Sequence, residues 1–125
     1  MQIGIDLGAT KIESVLLDQK GKELLRQREK TPESYHETIS AIFNIVNQIE
    51  KQFNKNFNVG ICHPGSSISD TGLIKNSNNS TWMNNKPFQK DISKKLNRII
   101  YCENDANCFA LSESVDGSAS HYKIV

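Results

Sequence analysis

With 125 residues, 37% of them hydrophobic, the chain has enough apolar material for one core and too little for two domains. Its 15 basic and 14 acidic side chains leave a formal charge of +1, which removes any sequence-wide attraction to nucleic acid or anionic lipid and argues against both as partners. No stretch reaches the roughly 18–20 apolar residues that span a bilayer, and Asp6 sits where a signal peptide would carry its apolar centre, so a cytoplasmic location is expected.

The chain opens on the apolar run Ile3-Gly4-Ile5. Then comes Asp6-Leu7-Gly8-Ala9-Thr10-Lys11, and a second apolar run over residues 12–17. Two strands around a Gly-bearing polar turn predict a hairpin whose tip can approach a phosphate closely. Gly8 leaves the backbone unshielded, Thr10 and Lys11 supply a hydroxyl, an amide and a positive charge, and Asp6 can hold a metal directly or through water. Taken alone this pattern also describes an ordinary hairpin. Asp18-Gln19-Lys20-Gly21 reads as a turn into a third antiparallel strand over 23–28.

Thr31-Pro32-Glu33-Ser34 reads as a helix start, with capping-box spacing between Ser34 and Glu37. Ile39, Ile42, Phe43, Val46, Ile49 and Phe53 recur at helical intervals and predict one amphipathic helix over 34–53. A buried strand over 57–61 follows, and a helical crossover implies that it joins the sheet in parallel. This strand breaks at His63-Pro64-Gly65 and leads into a long polar segment over 66–85, of a length that in compact domains is often functional. Phe88, Ile92 and Leu96 mark a short helix, 98–102 a further strand, and 105–115 a last helix. The apolar run over 122–125 reads as a strand cut short, hence as a lobe of a larger protein.

Three segments should gather where strand C-termini face a crevice: the turn from Asp6 to Lys11, the break at His63-Pro64-Gly65, and Glu103-Asn104-Asp105. Asp105, at a strand-to-helix junction, can accept a proton from a substrate hydroxyl, and Asn104 suits a polyhydroxyl ligand. Asp is equally a favoured helix N-cap. His63 reads as a loop residue, Trp82 as packing, and His36, His63 and His121 share no metal spacing. Cys62, Cys102 and Cys108 are odd in number without a CxxC pair, which argues against a disulfide framework or a zinc site and for small buried apolar residues.

Gly4-Ile5-Asp6-Leu7-Gly8-Ala9-Thr10-Lys11, Val59-Gly60-Ile61-Cys62-His63-Pro64-Gly65 and Glu103-Asn104-Asp105-Ala106-Asn107-Cys108, in this order, closely resemble the N-terminal lobe of ROK-family sugar kinases. The resemblance implies an α/β fold: a mixed β-sheet flanked by helices, the ribonuclease H-like lobe of actin-like, hexokinase-like ATPases. Residues 1–125 would then be the N-terminal lobe of a two-lobe kinase, silent without its partner lobe. It further implies transfer of the γ-phosphoryl of ATP, with Mg, to a hexose hydroxyl. Asp6, Gly8, Ala9, Thr10 and Lys11 would meet the phosphates and Mg. Asp105 would be the general base, and Pro64, Gly65, Asn79, Thr81 and Asn104 would border the sugar. A structural Zn and the pairing of subunits into a homodimer would belong to the other lobe. Residues 72–82 look most like the fructokinase and mannokinase branch, so fructose is the expected sugar, with N-acetylglucosamine or glucose as alternatives. A sugar-sensing regulator of the same family is a further alternative, disfavoured because only Met1 to Ile5 precede Asp6; an actin-like or chaperone-like ATPase is another, disfavoured by Asn104-Asp105, since such a protein needs no sugar base. Ala9 replaces a commoner glycine, and Cys62 and His63 stand where glycine and a small or apolar residue are frequent.

Overall fold

The computed structural model describes residues 1–67, 72–75, 77 and 80–104; the expected helix over 105–115 and the strand over 122–125 lie outside them. Strands β1 (Gln2–Leu7), β2 (Lys11–Leu17) and β3 (Glu23–Lys30) form an antiparallel meander. Helix α1 (Tyr35–Phe53) then carries the chain to β4 (Asn58–His63), and α2 (Phe88–Leu96) carries it to β7 (Tyr101–Asn104). Short turns permit only antiparallel neighbours, whereas helical crossovers return a strand in the same direction. The result, among the described residues, is a mixed five-stranded sheet in the order β3-β2-β1-β4-β7, with β4 parallel to both β1 and β7.

Alternation along the strands decides where the core lies. Ile3, Ile5 and Leu7 of β1, Ile12 and Leu16 of β2, and Val59 and Ile61 of β4 are almost wholly buried. They merge with Ile39, Ile42, Ile45, Val46 and Ile49 of α1 and with Phe88 and Ile92 of α2 into one cluster. The α1 stripe differs from the expected one at two places. Ile45 joins the core, while Phe53, in the last turn, is 37% exposed and stacks edge-on with Phe57 instead. Ser34 caps α1 by accepting a hydrogen bond from the Glu37 N–H at 3.2 Å, and Asn54 ends it in the left-handed region. Pro32 therefore precedes the helix.

The polar segment is more ordered than its composition implies. It holds a two-stranded sheet, β5 (Ser66–Ser67) with β6 (Ile74–Lys75), and a 3-10 turn at Thr81–Met83. Ile74 and Met83 are fully buried in the main core. Backbone bonds between Ile74 and residues 85 and 86, and the Asn84 amide bonded to both backbone groups of Ser77, hold its arms together. Two apolar anchors suffice because the segment borrows the main core instead of building its own.

The last strand starts three residues later than expected, because Arg98 has other partners. Its guanidinium grips both Glu50 carboxylate oxygens at 2.6 and 2.7 Å and donates to the Phe57 carbonyl, while the Phe57 N–H donates to Glu50 at 2.8 Å. This ties the end of α1 to the start of β4 and leaves Ile99 73% exposed. Burial alone would raise the Glu50 pKa; the hydrogen bonds from Arg98 and Phe57 and the Arg98 charge outweigh it and hold the carboxyl below its ordinary value. The depressed folded pKa fixes the sign: the contribution is complete above the unfolded carboxyl value of 4.5 and disappears as pH falls through the folded one. In the intact protein, Arg98→Ala should cost about 2 kcal/mol at pH 7, below the full range for a buried pair because Arg98 is partly exposed, and the deficit should shrink as the pH is lowered under about 4.5. Urea denaturation of variant and parent at pH 7 and pH 4 checks this; equal deficits at both would refute it.

Candidate functional site

The parallel arrangement of β1, β4 and β7 aligns their C-terminal ends on one edge of the sheet. Register puts Asp6 beside Cys62, Cys62 beside Glu103 and His63 beside Asn104. At about 4.8 Å per strand, the ends of β1 and β7 stand roughly 10 Å apart. Such an edge is the place where ligands of open α/β sheets bind.

At its first corner, the β1–β2 turn carries Ala9, Thr10 and Lys11, all exposed, with Asp6 exposed on the strand leading in. The Gly8 N–H closes the turn by donating to the Lys11 carbonyl at 2.9 Å. A Cβ on Gly8 would meet that same carbonyl oxygen at 2.9 Å, so this position tolerates no side chain without a backbone shift. Thr31, just past β3 and 2% exposed, braces the turn: its N–H donates to the Thr10 carbonyl at 3.0 Å and its hydroxyl to the Gly8 carbonyl at 2.8 Å. Sequence reasoning did not find Thr31, reading it as the approach to a helix. The available signal was strand length, since β3 pairs Lys30 with Lys11 and so returns the chain to the turn.

The second corner is the end of β4. His63 is 1% exposed, its ring edge-on to Phe88 at 5.6 Å, with Nδ1 3.0 Å from the Pro64 carbonyl. Burial lowers its pKa, so the ring is neutral and donates Nδ1–H to that carbonyl. His63 is thus a core residue within the strand, not the loop residue its sequence position implied. Pro64 and Gly65 follow and are half-buried. Gly65 has φ +74°, and a Cβ there would lie 2.5 Å from the Lys75 carbonyl oxygen. The hairpin that Gly65 enters lies against β7, while Thr81 is exposed at the start of the 3-10 turn.

The third corner is the end of β7, where the strand finishes at Asn104. Asp105 and Asn79 lie outside the described residues, so the structure brings together the phosphate turn, Pro64-Gly65 and the Asn104 backbone but does not reach the expected base. Cys102 is a free thiol whose pKa burial and the nearby Glu103 push up to about 12, which makes it inert at neutral pH. Cys62 is disulfide-bonded, contrary to the expectation drawn from an odd count without CxxC. Spacing along a chain does not say which cysteines a fold brings within bonding distance. Among the described residues no cluster of three His, Cys, Asp or Glu side chains exists, and no helix is long and apolar enough to cross a membrane.

A β3-β2-β1-β4-β7 mixed sheet with helical crossovers and a glycine turn between its first two strands defines a lobe of the actin-like, hexokinase-like ATPase fold. The chain belongs to the ROK family, whose model matches residues 2–125. It is 37% identical over 126 residues to the N-acetyl-D-glucosamine kinase of Haemophilus influenzae strain 86-028NP, covering all of this chain and 41% of that protein. Among solved structures it resembles the ROK hexokinase of Thermus thermophilus (TM-score 0.78, 26% identity, 90% of this chain and 38% of that one). It also resembles a ROK glucokinase of Streptomyces griseus in complex with glucose and AMPPNP (TM-score 0.77, 26% identity, 90% and 35%). The chain thus spans about two fifths of the length of the curated relative.

These relatives do not carry the fructokinase name expected from residues 72–82. The structure supplies a physical reason for distrusting that segment as a guide to the sugar. Its apolar positions Ile74, fully buried, and Trp82, packed against the core cluster, serve packing, so their pattern reports the core rather than sugar choice.

Proposed function

We propose that this chain is the N-terminal lobe of an ATP-dependent hexose kinase whose sugar is N-acetylglucosamine or glucose rather than fructose. The observation that carries the reading is the shared edge: the β1–β2 turn, with Asp6, Ala9, Thr10 and Lys11 exposed, and the ends of β4 and β7 open together, about 10 Å across. Gly8, Ala9, Thr10 and Lys11 receive the terminal phosphates of ATP through backbone amides, a hydroxyl and a cation. Asp6 enters no ion pair among the described residues. An exposed carboxylate of this kind suits a hydrated Mg ion held jointly with phosphate oxygens, which would neutralise charge on the phosphates when bound. Pro64, Gly65, Asn79, Thr81 and Asn104 border the sugar.

Asp105 accepts the proton of the attacking hydroxyl as that oxygen bonds to the γ-phosphorus and the bond to the ADP oxygen breaks. Little covalent chemistry falls to the protein in such a transfer; alignment and charge stabilisation supply most of the acceleration. This division of labour explains why one corner needs a bare backbone turn and the other a carboxylate. The test is turnover of the intact protein with ATP against N-acetylglucosamine, glucose, mannose and fructose. kcat/KM for one of the first two should exceed that for fructose by at least about tenfold, the scale set by a small number of hydrogen bonds to the sugar's substituents. A preference for fructose would reverse the assignment, and no phosphorylation of any of the four would reject the kinase reading.

A further inference from the structure

We infer that Thr31 is a positioning residue for the nucleotide: by holding two carbonyls of the β1–β2 turn, it aims the amide donors of that turn at the phosphates. The inference rests on the phosphate-turn reading above and deepens it. Its basis is peptide geometry. In a planar trans peptide the C=O and the following N–H point in opposite directions. The Gly8 carbonyl, held by the Thr31 hydroxyl at 2.8 Å, therefore turns the Ala9 N–H away from β3. The Thr10 carbonyl, held by the Thr31 N–H at 3.0 Å, does the same for the Lys11 N–H.

Thr31 is 2% exposed whereas the residues it orders, Ala9, Thr10 and Lys11, are exposed. Among the described residues no backbone carbonyl outside the strands accepts from the Ala9 N–H. A buried clamp behind an exposed row of donors is the arrangement that preorganised anion recognition requires, because donors already oriented lose no entropy on binding. Lys30, one residue earlier in the chain, pairs with Lys11 across β2 and β3, so the same strand end also fixes the spacing of two cations beside the turn.

In the intact protein, Thr31→Val keeps shape and N–H but removes the hydroxyl. It should raise KM for ATP about fivefold to twentyfold, the equivalent of one lost hydrogen bond, with KM for the sugar changed by less than about twofold. Thr31→Ser, which restores the hydroxyl, should return KM for ATP to within about twofold of the parent. Should Thr31→Val not fold, Thr31→Ala is read by the same two constants. An unchanged KM for ATP, an equal rise for ATP and sugar, or no rescue by serine would each overturn the inference. Lys11→Ala, measured in parallel, separates its failure from that of the parent reading. If Lys11→Ala raises KM for ATP and Thr31→Val does not, only the clamp falls; if neither does, the phosphate turn falls with it.

Discussion

Asp105→Asn in the intact protein should lower kcat by about a hundredfold to ten-thousandfold, the usual contribution of a positioned general base, while leaving the sugar dissociation constant within about threefold. The asymmetry follows from the role. An amide at this position still donates and accepts hydrogen bonds with a hydroxylated ligand in the ground state, but it cannot take the proton that the attacking oxygen must lose. β7 ends at Asn104, roughly 10 Å across the edge from Asp6. Steady-state turnover by ADP release, combined with calorimetric titration of the sugar, reads both quantities. Retained turnover would remove Asp105 from the chemistry; loss of sugar binding in step with turnover would make it a ligand rather than a base. A protein of this fold that only senses sugar would keep its function in the variant, which makes the substitution a test of class as well as of residue.

Gly65→Ala should destabilise the intact protein by about 3 kcal/mol, and the comparison with Gly72→Ala shows why. Both glycines have positive φ, +74° and +71°, so an alanine at either carries a left-handed backbone cost of about 1–2 kcal/mol. At Gly72 nothing among the described residues lies within 4 Å of the added methyl. At Gly65 the methyl would lie 2.5 Å from the Lys75 carbonyl oxygen and 3.1 Å from Ile74 Cγ2, and neither is the free end of a flexible side chain. Ile74 is fully buried and Lys75 belongs to β6, so relief means displacing the β5–β6 hairpin from the core. Thermal melts of the two variants isolate the steric part as their difference, and KM for the sugar should rise only for Gly65→Ala. Equal melting temperatures would show that the turn yields easily and that Gly65 is not tightly seated.

Elements with one dominant local signal could be read without coordinates. Ser34 and the spacing of Ile39, Ile42, Val46 and Ile49 placed α1 to within one residue, because capping and a 3.6-residue period act over a few turns. Phe88, Ile92 and Leu96 likewise marked the short helix α2, and all three are buried in it. Gly8 between two apolar runs announced the turn, since a close backbone approach requires the smallest residue. The errors cluster where a distant partner decides. Residues 98–100 are as apolar as a strand, yet the Arg98 contacts with Glu50 and Phe57, and the Ile100 N–H bonded to Ser93 Oγ, commit them to a connection instead. His63 reads as a loop residue until Phe88 packs against it.

The amino-acid order by itself determined the meander, the two helices, the parallel return of β4 and the class of chemistry expected at the glycine turn, because caps, periodicity and turn residues are interactions between near neighbours in the chain. Only the tertiary structure decided that Thr31 holds that turn from 23 residues away, that Ile74 and Met83 anchor the polar segment in the main core, and that β7 begins at Tyr101. Each of those depends on a contact between segments remote in sequence, whose closure is compensated by burial and hydrogen bonding that no short window of residues contains.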